Sequence, residues 1–315
     1  MKRSDIRELL TFLMFIIPGL LIYLFIIAYP ICYSVFLSFS DYNPNIDKAP
    51  NFVGLSNYIK VLTMNKGFVD ATNNVPEFWH AFKNNMIVVL VSVFGQIPIG
   101  FILAFILYRR LVKAEKFFQS MVFLPQFLST IVIGIMWRML FMVDGPVSRM
   151  LQSIKKDPSI QFSMMMDPNK CMIPIGIALI WMYTGFYMII FLANLQKINE
   201  SMFEAAKIDG ASEAQIFFRI TIPLLAGSIL TSCILAIAGS LKGFSLIFAL
   251  APEGKQRINS EVLPIFMYRT AFNNAKDPMR FAYGATISNI VVLISILLIM
   301  FSNWVGKKLG TDEEY

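Results

Sequence analysis

The residues best equipped to act on something else form one polar interruption in an apolar chain. Residues 198–225 read INESMFEAAKIDGASEAQIFFRITIPLL. Ser201 followed by Glu204, and Ser212 followed by Gln215, each spell the S-x-x-E/Q signature of a helix start. Gly210 lies between them, where a helix stops most readily because glycine takes a left-handed cap at little cost. The spacing predicts a short helix, a sharp turn, and a second helix running to Pro223. Met202, Phe203 and Ala206 on the first helix, and Ile216, Phe217 and Ile220 on the second, recur at helical spacing and give each an apolar face. Ala205 and Ala206 are small enough to let another surface approach closely. Such a face needs a cover: the headgroup layer and the chain's own span ends, or a groove on a partner. The work on offer is mechanical rather than covalent.

Covalent and metal chemistry have little to draw on. His80 is the one histidine, which leaves a His-based zinc site or a Ser-His-Asp triad without its main component. Cys32, Cys171 and Cys233 are widely spaced with no C-x-x-C, and Cys32 and Cys233 lie in apolar runs, so free buried thiols are expected and not a disulfide framework. No G-x-x-x-x-G-K-[ST] occurs, so the chain carries no Walker-type phosphate loop of its own.

The elements that must hold the loop are membrane spans. Of the 315 residues 57% are hydrophobic and only 15% charged, against about 25% charged in ordinary soluble chains. A bilayer core takes about 20 mostly apolar residues as helix, and six stretches qualify: 9–37, 86–107, 121–143, 172–195, 223–250 and 281–305. They are apolar on all faces without period-two alternation, and a lone helix satisfies its own amides in lipid, so the expected class is all-α. The first run is far longer than a signal-peptide core and no A-x-A site follows it, so it is read as a retained anchor. Pro18, Pro30, Pro98, Pro125 and Pro223 punctuate the spans as kinks or as breaks around a site.

Six spans put both termini on one side. That side carries 12 Lys and Arg in 55 residues, the other 13 in 106. The short 109–118 loop, with Arg109, Arg110, Lys113 and Lys116, votes most clearly, so both termini are expected in the cytoplasm. The net charge of +7 is then a topological signal and does not call for nucleic acid. The chain is divided into an anchor helix with the first outer loop (1–85), a five-helix core containing the 196–222 loop (86–305), and a cytoplasmic tail (306–315). Arg138 and Lys242 lie within spans three and five, each within eight residues of an outer end, and are expected to snorkel outward.

Glu204-Ala205-Ala206, Asp209-Gly210-Ala211, Phe217, Ile220 and Pro223 resemble the EAA loop that marks the membrane subunits of binding-protein-dependent ABC importers. FVGLSNYIKVL at 52–62 and PIFMYRTAF at 264–272 are similar to segments of sugar-type permeases, and the six-span layout agrees. The sequence departs from them in its outer loops: 251–260 lacks a Gly-rich run, and 63–80 and 152–170 look extended. The resemblance implies a type I importer permease fold in a prokaryotic cytoplasmic membrane, importing a sugar or oligosaccharide by alternating access. It implies a second homologous permease subunit, two cytoplasmic ATPase subunits that bind ATP and magnesium, and an extracytoplasmic solute-binding protein. No cofactor or catalytic residue is implied in this chain. Glu204, Ala205, Ala206, Asp209, Gly210, Ala211, Phe217 and Pro223 would form the coupling helix that docks in an ATPase cleft.

An import route needs polar and aromatic groups at membrane depth. With that fold in mind the candidates are Trp181, Tyr183, Asn194, Ser240, Phe244 and Asn289. Each also has an ordinary use, as interface aromatic, hydrated end group or interhelical contact. Another cargo, such as a sugar phosphate, polysaccharide fragment or peptide, fits the same family. An ion-driven secondary transporter would call for acids inside the spans, and none of the six stretches holds Asp or Glu.

Overall fold

The computed structural model describes residues 3–45, 49–63, 76–155, 164–167, 169–251, 259–273 and 277–308. Parts of the outer loops expected to be extended, and the tail beyond Lys308, lie outside the described residues. The described chain is helical, and its only β pairing is an isolated bridge between Ser40 and Phe52.

Helices Thr11–Ser38, Glu77–Tyr108, Thr130–Ile154, Met172–Leu195 and Arg280–Lys308 are each long and apolar enough to cross a bilayer. A sixth span is reached by counting the pair Glu213–Leu224 and Ala226–Lys242, which bends by 71°. The fourth span has the bounds the sequence predicts. The second begins at Glu77 rather than at 86, because EFWHAFKNN continues the helix outward beyond its apolar part.

Proline acts in two ways. Pro30, Pro98 and Pro223 each stand in the first turn of an α-helix that follows a π-helical turn: Leu24–Ala28, Ser92–Gln96 and Phe217–Thr221. A proline has no N–H and crowds the carbonyl four residues back, and a wider turn relieves both. Pro125 goes further. The expected continuous 121–143 span is instead a helix Glu115–Phe123, a 3-10 turn Leu124–Phe127, and a new helix from Thr130. The expected 223–250 span also breaks, at Gly243 and Phe244, leaving helices Ala226–Lys242 and Ser245–Leu250. Hydropathy averaged over twenty residues cannot see either interruption.

The chain divides into two compact units. The smaller holds residues 1–64 and 267–290. Within it the buried Asn57 donates to the carbonyls of Ser38 (3.0 Å) and Ser40 (2.8 Å), pinning the end of the first helix. Asn289 donates to Ser34 O at 3.3 Å in the same unit.

The larger unit, 65–266 and 291–315, carries the main core. Its centre is Met172–Leu195, packed closely on Ile97–Tyr108. Gly100 makes that approach possible: a Cβ there would stand 2.9 Å from Thr184 O and 3.0 Å from Met188 N, both backbone atoms that cannot step aside. Phe101, Phe191 and Leu195 fill the seam.

Candidate functional site

The hairpin after the fourth span forms where the sequence places it, with one cap reassigned. The first helix is Glu200–Ile208, and its N-cap is Asn199, whose Oδ1 accepts from Ser201 N at 3.1 Å. The expected Ser201–Glu204 capping box is therefore absent. Asn199 stands one position upstream of the helix with an equally good acceptor, so Ser201 falls inside the first turn. The second box is present. Ser212 N donates to Gln215 Oε1 (2.7 Å), and Gln215 N donates to Ser212 Oγ (3.3 Å).

Between them the turn is a full left-handed stop. Gly210 has φ +78°, Gly210 N donates to Lys207 O (3.0 Å), and Ala211 N reaches back to Ala206 O (2.9 Å). This paired pattern satisfies the last carbonyls of the helix and fixes the exit direction of the chain.

The two faces of the hairpin do different things. Phe203 and Ile216 are fully buried with Phe105, and Ala206, Ala211 and Phe217 pack against them. Tyr108 meets Phe203 edge-on at 5.7 Å, and Phe105 meets Phe217 at 4.9 Å. The apolar face is thus covered by the Tyr108 end of the chain's own second span. Met202, expected on that face, points outward with Glu204, Ala205 and Ile208, the last 86% exposed. The inward side follows Phe203 and Ala206, three residues apart, which leaves Met202 at its exposed edge. Asp209 and Gly210 are exposed at the tip; Pro223 is exposed on the following helix.

A clamp that sequence reading missed holds this arrangement. Arg109 Nε donates to Glu213 Oε2 (2.9 Å) and Arg109 Nη2 to Oε1 (2.8 Å). The same guanidinium lies 5.3 Å above the Phe203 ring, and Lys207 Nζ stands 3.5 Å from Glu213 Oε1. The Arg109 hydrogen bonds pull the Glu213 carboxyl below the usual glutamate range, and the Glu213 carboxylate in turn raises the Arg109 pKa. In the sequence Arg109 reads only as one of four loop cations. Its partner is 104 residues away, and no local signal links them.

A second feature lies deeper in the same unit. A cavity of about 290 Å³ is walled by the second, third, fourth and fifth apolar segments. Tyr183, Ser240 and Phe244, three of the expected polar or aromatic positions, line it. Ser240 Oγ donates to Ser92 Oγ at 2.9 Å, and the buried Gln96 also faces the space. The π turn Ser92–Gln96 brings Ser92 and Gln96 to one wall, and Thr130 begins the helix after the Pro125 break. Lys242, expected to snorkel outward, is exposed, and it also borders the cavity at the Gly243 break.

The other three expected positions lie elsewhere. Trp181 is 40% exposed and meets Trp137 edge-on at 5.9 Å. Asn194 donates to Ile190 O on its own helix and accepts from Lys197 at the span end. Asn289 belongs to the smaller unit. Which side of a span faces a cavity is set by packing, and a helix apolar all round does not reveal it.

Residues 96–311 match the sequence pattern that defines the binding-protein-dependent transport system inner membrane component family. The chain is 30% identical over 300 residues to a probable ABC transporter permease protein of Pyrococcus horikoshii, covering 95% of this chain and 96% of that one. It is 30% identical over 288 residues to a lactose transport system permease protein of Rhizobium radiobacter, covering 90% of each. Its fold matches a chain in the crystal structure of a bacterial ABC transporter that imports the acidic polysaccharide alginate. There the TM-score is 0.77 at 21% identity, over 97% of this chain and 98% of that one.

Proposed function

Because the chain belongs to the family of binding-protein-dependent transport system inner membrane components, we propose that it is the permease subunit of an ATP-driven importer for a sugar or oligosaccharide. It is a multi-pass membrane protein with both termini in the cytoplasm. A separate ATPase pair binds ATP and magnesium, and a second homologous permease subunit completes the pore. An extracytoplasmic binding protein delivers the solute. The sugar assignment draws on the lactose relative.

The observation that carries the reading is the two-faced hairpin. Its inner face is fixed by Phe203 and the Arg109–Glu213 pair, while Met202, Glu204, Ala205 and Ile208 are presented outward on a rigid frame. A cleft that grips the outer face moves the second span with it, since both are packed together. Closing the ATPase pair then biases the cavity from inward to outward access. The cavity holding Tyr183, Ser240 and Phe244 supplies hydroxyls for sugar hydrogen bonds and aromatic faces for ring surfaces. No residue of this chain acts on ATP.

The test is co-purification with a nucleotide-binding subunit, followed by ATPase assays with binding protein across a sugar panel. Stimulation by one saccharide class, together with its uptake into proteoliposomes, is expected. Uptake driven by a proton gradient without any ATPase would overturn the proposal.

A further inference from the structure

Resting on the cavity as the solute site, we infer that the solute carries a negative charge: a saccharide with a carboxylate or a phosphate ester. The formal charge that the described residues bring to the cavity wall is positive. Among the described residues Lys242 is the one ionisable side chain there apart from the Tyr183 and Tyr187 phenols, and no Asp or Glu lines the space. Lys242 makes no ion pair or hydrogen bond among the described residues. Lys242 is exposed on that wall, so its ammonium is open to a ligand entering the space and no carboxylate of this chain competes for it there among the described residues.

Its position adds a second, independent reason. The Ala226–Lys242 helix ends at Lys242, Gly243 is extended, and a new helix starts at Ser245. Broken helices within transporter spans cluster where solute is held. The helix end itself offers Lys242 some compensation, because its carbonyls favour a cation. That accounts for a basic residue at a helix end and leaves open why this end borders the cavity. The remaining polar groups there, Ser92, Gln96, Thr130 and Ser240, are uncharged and read hydroxyls. Together they suit a ligand with many hydroxyls and one anionic group. A neutral sugar would leave the ammonium unmatched, and a cationic solute would be repelled.

The experiment uses the assembled transporter in nanodiscs without binding protein, so that only the membrane site is read. Equilibrium dialysis measures three disaccharide probes: digalacturonate, lactose, and a phosphorylated lactose. Wild type is expected to hold at least one anionic probe about tenfold tighter than lactose, with the difference shrinking as salt rises. Tenfold corresponds to about 1.4 kcal/mol. Lys242→Gln should bring that probe to parity with lactose. Preference for digalacturonate alone, or for the phosphorylated probe alone, identifies the anionic group. Gln96→Leu should weaken all three probes alike. Equal wild-type binding of all three, no binding of either anionic probe, or a preference that survives Lys242→Gln overturns the inference. If Gln96→Leu still weakens every probe in that case, the cavity remains the solute site and only its charge selection fails. If Gln96→Leu changes nothing, the cavity assignment falls with it.

Discussion

Removing the Glu213 carboxylate is expected to loosen the hairpin far more than removing the Arg109 guanidinium, although both changes break the same pair. The asymmetry comes from burial and from Lys207. The Arg109 side chain is 9% exposed and that of Glu213 is 37% exposed. Glu213→Ala leaves the buried guanidinium over the Phe203 ring without its hydrogen-bonded carboxylate and with only the through-space influence of Glu200, a cost of about 3 kcal/mol. Arg109→Met keeps most of the stem packing. It leaves Glu213 with water and with Lys207 at 3.5 Å, so discounted for solvent screening the loss is about 1 kcal/mol. Hydrogen exchange in nanodiscs reads this at the Asp209 and Ala211 amides, which bond Ala205 O and Ala206 O. At about 1.4 kcal/mol per tenfold, Glu213→Ala should speed exchange by over a hundredfold and Arg109→Met by about fivefold. The double variant should exchange more slowly than Glu213→Ala, because no charge is left stranded. Equal effects of the two single changes, or a double variant equal to their sum, would refute the clamp.

Three further outcomes follow from the same geometry. Gly210 sits at φ +78° with nothing within 4 Å of an added Cβ, so the cost of substitution there is conformational rather than steric. Gly210→Asn should retain most ATPase coupling and Gly210→Val should lose it, since asparagine tolerates the left-handed region and β-branched residues do not; equal activities would remove the turn from the mechanism. Gly100→Leu should lower folded yield in membranes, measured by size-exclusion profile, because the new side chain meets the Thr184 and Met188 backbone. Finally, Glu213 is held below its ordinary pKa, so its pairing contributes fully at neutral pH and is lost as pH falls through the depressed value. Exchange at Ala211 should therefore be flat from pH 8 to about 5, after correction for intrinsic rates, and rise only below about pH 4.

Much of this was legible from residue types. Unbroken apolar runs located the spans, since lipid forces each backbone segment to satisfy itself. Ser212–Gln215 and Gly210 carry their own stop and start signals within six residues, and both formed as expected. What escaped the sequence was angular or long-range. Asn199 outcompeted Ser201 because two capping residues stood two apart and only packing could choose the phase. Trp181 and Tyr183 are two residues apart on one helix, yet only Tyr183 lines the cavity. Ser92 and Gln96 share its wall because Pro98 widens the turn before it. Arg109 finds Glu213 only once the hairpin folds back on the second span.

The most direct measurement is the accessibility of position 205. Ala205→Cys, in a chain whose own three cysteines are replaced, should react with a membrane-impermeant maleimide only from the cytoplasmic side. It should be protected when the ATPase subunits are bound and labelled again when they are stripped. Labelling from the extracytoplasmic side, or labelling that ATPase assembly does not change, would contradict the account.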